Sequence, residues 1–311
     1  MTSYFLKRLL LFIPTLLGIT FITFLLTQAV PGDPVLGMVG ERADPAVVER
    51  LRAEIGADKP FLVRYGGYLS LLAKGEMGRS YYSHHPVASD IVEKFGNTLR
   101  LALTAIVFSI IIGVSLGIVT ALKRGTWVDR AGSALAVAGI SLPVFWLGLV
   151  LMLVLAGWLH LLPPSGMGHG EPIYLVLPAL TLAIGSSSFI ARVTRSSMLE
   201  VLGQPYMATA VAKGLGRGRV ILHALRNALI PIVTLIGLDL GSYLNGSVLT
   251  ETIFGWDGLG RYALEGITKR DYPVVMGTVL FGAAIFVTVN LIIDILNSVI
   301  DPRIRHSAKE R

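Results

Sequence analysis

Few of the 311 residues are of types that do chemistry, and their spacing narrows the choice further. Gly113-Val114-Ser115-Leu116-Gly117 matches the G-x-S-x-G of serine hydrolases, but that nucleophile needs a strand–turn–helix setting. Here it lies inside the apolar run Leu101–Leu122, and no histidine sits in such a run to serve as its base. Two glycines one turn apart instead let a neighbouring helix approach closely, and Gly237-Leu238-Asp239-Leu240-Gly241 repeats the device. His84-His85 and His169 lack an H-E-x-x-H or comparable ligand set and read as solvated loop residues, so no metal site is expected. The absence of cysteine excludes a thiol nucleophile, a disulfide framework and Cys-ligated zinc. The phosphate-cradling G-x-x-x-x-G-K-[ST] is also absent, and Gly214-Leu215-Gly216-Arg217-Gly218 follows a helix rather than a strand. The chain thus has no visible means of hydrolysing a nucleotide. What remains is a pair of carboxylates, Asp239 and Asp294, inside apolar runs. A carboxylate at bilayer depth faces a bundle interior or a watery cavity. Ser242, Asn245 and Ser247 continue the polar line from Asp239, which reads either as a translocation pathway or as interhelical hydrogen bonding. Asp294, between Asn290 and Asn297 near the end of its run, fits the second reading.

The elements that carry these residues are long and apolar. Hydrophobic residues make up 53% and charged ones only 15%, too little charge for the surface of a soluble domain of this length. Apolar runs at Leu9–Val30, Leu101–Leu122, Leu135–Trp158, Tyr174–Ile190, Ala228–Thr250 and Pro273–Val299 predict six transmembrane helices. The first run is too long for a signal peptide and ends in Pro31-Gly32-Asp33-Pro34, so it is expected to remain as a span. The expected organisation is residues 1–30 as a cytoplasmic start and first span, and 31–100 as a small extracytoplasmic helical region. Residues 101–299 form the transmembrane domain with its loop 191–227, and 300–311 a cytoplasmic tail. Within 31–100, Asp44–Gly56 has a proline start and a glycine stop, and Phe61–Ala73 repeats an amphipathic pattern with Tyr65, Tyr68 and Leu72. The segments expected inside carry 15 Lys/Arg against 4 Asp/Glu, and those outside 12 against 14. That bias places both termini in the cytoplasm and accounts for the net charge of +7 without nucleic acid.

One stretch outside the spans is unusual. Between Met198 and Gly216, Pro205 opens a helix at its first position and Gly214 closes it just past the end, where a left-handed residue is wanted. The helix is about nine residues long, marginal alone in water. It carries no charge before Lys213. Tyr206 with Ala210 and Met207 with Val211 make one face apolar, while Ala208 and Ala212 keep the opposite face small. A short, capped, uncharged helix needs something to pack against, and another protein is the expected partner.

With these features in place, the chain resembles, over essentially its whole length, the permease subunits of bacterial ATP-binding-cassette importers, in the dipeptide, oligopeptide and nickel branch. The resemblance rests on Lys7-Arg8-Leu9-Leu10-Leu11-Phe12-Ile13-Pro14-Thr15, Pro31-Gly32-Asp33-Pro34 and Arg195-Ser196-Ser197-Met198-Leu199-Glu200-Val201. It extends through Ala212-Lys213-Gly214-Leu215, His223-Ala224-Leu225-Arg226-Asn227-Ala228-Leu229-Ile230-Pro231 and Glu251-Thr252-Ile253-Phe254-Gly255-Trp256-Asp257-Gly258-Leu259-Gly260. Arg270-Asp271-Tyr272-Pro273-Val274-Val275 and Asp301-Pro302-Arg303-Ile304-Arg305 complete it. The family's loop signature, E-A-A-x-x-x-G followed by I-x-L-P, falls on Ala208-Thr209-Ala210 before Gly214; its acidic first position is absent, and the interval to Pro231 is longer. The resemblance implies an all-α, six-span type I importer permease, non-catalytic and without a bound cofactor, in the bacterial cytoplasmic membrane. It implies that Pro205, Tyr206, Met207, Ala208, Thr209, Ala210, Val211, Ala212, Lys213 and Gly214 form the coupling helix that docks on an ATPase. The implied partners are a second homologous permease, two ATPases holding ATP and Mg, an extracytoplasmic peptide-binding protein and the lipid bilayer. The implied cargo is dipeptides or short oligopeptides, with nickel or another small solute such as glutathione as the alternative. An ion-coupled secondary transporter is the rival class; it would usually show internal repeats at matched positions, and none is visible.

Overall fold

The computed structural model describes residues 2–29, Val35, Val39, 44–56 and 58–300. The expectations for Pro31-Gly32-Asp33-Pro34, the 300–311 tail beyond Ile300, and the side chains of Lys7, Arg8, Asp294 and Asn297 lie outside the described residues. Every named element among those described is helical. They are α1 (Thr2–Ala29), α2 (Pro45–Ile55), α3 (Phe61–Ala73), α4 (Val87–Leu122), α5 (Trp127–Ser141) and α6 (Val144–Leu151), which continues as a π-helical stretch Met152–Trp158. After a 3-10 turn Gly168–Gly170 come α7 (Ile173–Leu202), α8 (Pro205–Ala212), α9 (Arg217–Leu244), α10 (Val248–Ile253), α11 (Leu259–Lys269) and α12 (Tyr272–Ile300). Among the described residues, α4, α7, α9 and Tyr272–Ile293 of α12 are long and apolar enough to cross a membrane. The bent pair α5–α6 would make a fifth, and Phe12–Thr27 of α1 is a shorter apolar stretch.

The third expected span, Leu135–Trp158, is not one rod. Its chain bends by 108° between Trp127–Ser141 and Val144–Trp158. The proline ring at 143 forces the preceding residue out of the helical region, and Leu142 is extended at φ −81°, ψ 131°. The fifth, Ala228–Thr250, ends early. The helix stops at Leu244, and Gly246 at φ +98° starts a turn before α10.

The chain divides into two compact units. The first comprises residues 1–98, 245–248 and 257–287. In it α2 is closed by Asp44, whose carboxylate accepts the Ala46 amide at 2.9 Å, and by Gly56 at φ +66°. One side of α3 lies on α1 through an aromatic cluster of Phe21, Phe24, Phe61, Tyr65 and Tyr68. Val87, Ile91, Leu259 and Val274 form this unit's second buried centre.

The second unit comprises residues 99–244, 249–256 and 288–311. Its helices meet through small residues. A Cβ at Gly113 would come within 2.7 Å of the Ser187 carbonyl, and one at Gly117 within 2.5 Å of Thr194 Cβ. The glycine pair is therefore the close crossing of α4 on α7, as its spacing predicts. Gly237 does the same for α9 against Ile293 of α12. Trp256 is buried with Leu101, Ala105, Ala179 and Leu182.

Candidate functional site

The helix α8 is built almost wholly from local signals. Pro205 occupies its first turn after an extended Gln204. At the other end Gly214 has φ +81°, its amide donates to Val211 O at 2.9 Å, and the Leu215 amide donates to Ala210 O at 3.3 Å. These two bonds are a Schellman closure, which meets carbonyls that a helix end otherwise leaves open. Expectation and structure differ over Met207. It is only 2% exposed and packs with Met198, Ala224, Ala228 and Ile232 of its own unit. Met207 thus seats α8 on α7 and α9 and is not part of an outward face; its thioether side chain fills the chain's own core. Burying it contributes about 1.5–3 kcal/mol, which stabilises a helix too short to stand alone. The outward surface is Pro205, Tyr206, Ala208, Thr209, Val211, Ala212, Lys213 and Gly214, with Ala210 half-buried. Tyr206 and Val211 remain 44% and 57% exposed, and the Tyr206 ring meets His223 edge-on at 6.3 Å.

The carboxylate of Asp239 accepts a hydrogen bond from the Ser186 hydroxyl of α7. It is half-buried, and among the described residues no ion pair to it is present. Ser242, one turn further along α9, is exposed. The Tyr243 hydroxyl donates to Leu182 O at 2.9 Å, a second tie between α9 and α7. Asn245 belongs to the first unit, is exposed, and sits against Gly282, where a Cβ would collide with its amide oxygen. Asp239 and Ser242 therefore share a helix side, while Asn245 stands beyond the helix end.

Sequence reasoning missed the ion pair of the second unit. Arg195 of α7 donates from Nε to Asp129 Oδ1 at 2.7 Å and from Nη2 to Oδ2 at 2.9 Å. Asp129 also accepts the Gly125 amide at 2.9 Å and the Ser133 hydroxyl at 3.3 Å. The available signal was an acid in the first turn of a helix after a Lys-Arg-Gly turn. Its partner, 66 residues away, carried none.

In the first unit a polar cleft of about 200 Å³ is lined by Ser80, Tyr82, Asp90, Tyr262, Lys269 and Asp271, among others. Asp271 accepts from Ser80 Oγ at 2.5 Å and from the Tyr81 amide at 3.2 Å. Lys94 pairs with Asp257 at 2.6 Å, and Asn97 donates to the Asp257 carbonyl at 2.8 Å. Burial, and then the bond to Asp90, push the Tyr262 hydroxyl well above the usual phenol range, so it stays a neutral donor. Burial likewise pushes Tyr81 up to about 12. His85 lies 3.8 Å from Asp90, but no group of three metal-binding side chains occurs among the described residues.

These features meet a body of known proteins. Residues 113–306 match the model of the binding-protein-dependent transport system inner membrane component, and residues 1–102 match its N-terminal companion. The chain belongs to this family of transport-system membrane components. It is 42% identical over 337 residues to the dipeptide transport system permease protein DppB of Escherichia coli (strain K12), covering 98% of this chain and 99% of that one. It is 41% identical over 333 residues to the protein of the same name from Alkalihalophilus pseudofirmus, covering 98% and 100%. The glutathione transport system permease protein GsiC of Salmonella choleraesuis is 41% identical over 307 residues, again covering 98% and 100%. A structure of the MetNI methionine ABC transporter in an inward-facing conformation has the same fold, with a TM-score of 0.57 at 20% identity, over 68% of this chain and 96% of that one.

Proposed function

We propose that this chain is the permease subunit of an ATP-driven importer that carries dipeptides and short oligopeptides inward across the cytoplasmic membrane. The observation that carries the reading is near-full-length identity above 40% to two dipeptide permeases. Within it, α8 is the docking element for a cytoplasmic ATPase. Its support is an outward surface that is short, capped and uncharged until Lys213. Six segments cross the membrane with both termini inside, supported by the charge bias along the chain. The working assembly pairs this chain with a second, related permease, two ATPases that hold ATP and Mg, and an extracytoplasmic peptide-binding protein. This chain performs no covalent step and holds no cofactor. ATP bound between the partners favours one arrangement of the docking helices, and the spans alternate between outward and inward openings. The ligand acts only through its different affinity for the two arrangements. Asp239, Ser242 and Asn245 supply polar groups to the pathway.

A second cargo, glutathione, is favoured by the GsiC relative, at nearly the same identity. The test is uptake of labelled dipeptide, glutathione and nickel into vesicles containing this chain with its co-expressed neighbours. Dipeptide uptake that requires ATP supports the reading. Uptake driven by an ion gradient without nucleotide would assign the chain to secondary transport instead, and uptake of glutathione or nickel alone would reassign the cargo.

A further inference from the structure

The bridge between Asp129 and Arg195 does more than close a gap between two helices. Asp129 is held from four sides at the start of α5: by two guanidinium nitrogens, by the Gly125 amide and by Ser133. The Asp129 side chain is 8% exposed, while that of Arg195 is 31% exposed and keeps one side in solvent. Elsewhere α5 meets its neighbours through small surfaces. Gly132 faces Thr120 and Leu116 of α4, and Gly139 faces Ser188 of α7. Glycine contacts of this kind set how near two helices lie, and the side chains of Thr120, Leu116 and Ser188 seated over them hold by weak, non-directional packing. A two-pronged guanidinium–carboxylate pair fixes one helix along the other, because both bonds must stay aligned at once.

The position of the pair along the chain gives this its meaning. Arg195 stands seven residues, about 11 Å of helix, before the end of α7. Two residues, Gly203 and Gln204, then lead into α8. On the other side, α5 runs into the 108° bend at Pro143 and on into α6. We propose that Asp129 and Arg195 are positioning residues that make α5 follow the end of α7, so that a displacement of α8 by its partner reaches the bent helix pair. The inference rests on the docking proposed for α8.

The chain has no native cysteine, so spin labels can be placed at will. Cysteines at the exposed Arg130 and Glu200 report the separation of the start of α5 from the end of α7. The distance is read by pulsed electron spin resonance in the assembled complex, without nucleotide and with ATP and vanadate. The labelled protein with an intact pair keeps one distance in both states. In Asp129→Ala the two states differ by about 1–2 Å or more, the scale of helix shifts. The same variant keeps hydrolysing ATP while peptide uptake per ATP falls about tenfold, and Arg195→Lys, which retains one prong, lies between. If Asp129→Ala only lowers folded yield or melting temperature, with an unchanged distance and an unchanged uptake-to-hydrolysis ratio, the pair is structural and the proposal fails. It fails too if the distance already changes with nucleotide while the pair is intact. Failure of the ATPases to co-purify with the unmutated chain has a separate signature: it removes the docking reading first.

Discussion

Met207→Ala isolates what holds α8 in place. The side chain is almost fully buried among Met198, Ala224, Ala228 and Ile232. Truncating a buried methionine costs about 2–5 kcal/mol. The low end applies, because α8 lies at the edge of its unit and neighbouring side chains can settle into the gap. Eight residues cannot sustain a helix on their own, so a loss of about 2 kcal/mol falls on the local equilibrium between seated and released α8, not on the whole fold. At 1.36 kcal/mol per factor of ten, the released fraction rises about thirtyfold. Amide hydrogen exchange over residues 208–212 reads that fraction directly. Exchange there is expected to speed up about thirtyfold while amides of α4 and α7 are unchanged, and ATPase co-purification is expected to fall in parallel. Ala208→Trp, on the exposed side, is the contrast: normal exchange but failed docking. Unchanged exchange in Met207→Ala would refute the claim that this side chain seats the helix.

Three further outcomes are expected. Gly117→Val places atoms where Thr194 and the Ala191 carbonyl already stand, so folded yield should collapse, as judged by size-exclusion chromatography in detergent; a monodisperse peak at normal yield would show that α4 and α7 can separate there. Asp239→Leu should abolish uptake and leave ATP binding by the partners intact, whereas Ser186→Ala, which removes only the hydroxyl donor, should retain most uptake; equal loss in both would make the pair an interhelical tie and not part of a pathway. Single cysteines at Ser83 and Arg219 should react with an impermeant maleimide from opposite sides of the membrane, and labelling from one side would sink the proposed topology.

The caps of α8 were readable because proline and glycine act through their own backbones. The helix expected over Pro205–Lys213 is found over Pro205–Ala212, closed by a left-handed Gly214. Which of its faces turns inward was not readable. Tyr206, Met207 and Val211 are all apolar, and only the fold decides that the core receives Met207. The crossing at Gly113 and Gly117 was legible from spacing alone, since small residues one turn apart have few other uses in an apolar helix. The bend at Pro143 was not. Proline inside a membrane helix is tolerated when neighbours meet the freed backbone groups, so the sequence is compatible with a kink or with a break. Asp239 stood out by its cost in an apolar run, but its partner Ser186 lies 53 residues away among three consecutive serines that look alike.

The bond from Ser80 to Asp271 joins residues 191 apart in the chain. At about 5–20 residues per second, the ribosome needs roughly 10–40 s to make the second after the first. Throughout that interval the turn at 79–86 has left the ribosome without the acceptor that later fixes Ser80 and the Tyr81 amide. The Lys94–Asp257 pair, 163 residues apart, imposes a similar wait on the neighbouring segment. The newborn protein therefore passes through a stage in which its early half is made but this corner is unfastened. A chain cut short before Asp271 lacks the acceptor for Ser80 and the Tyr81 amide altogether.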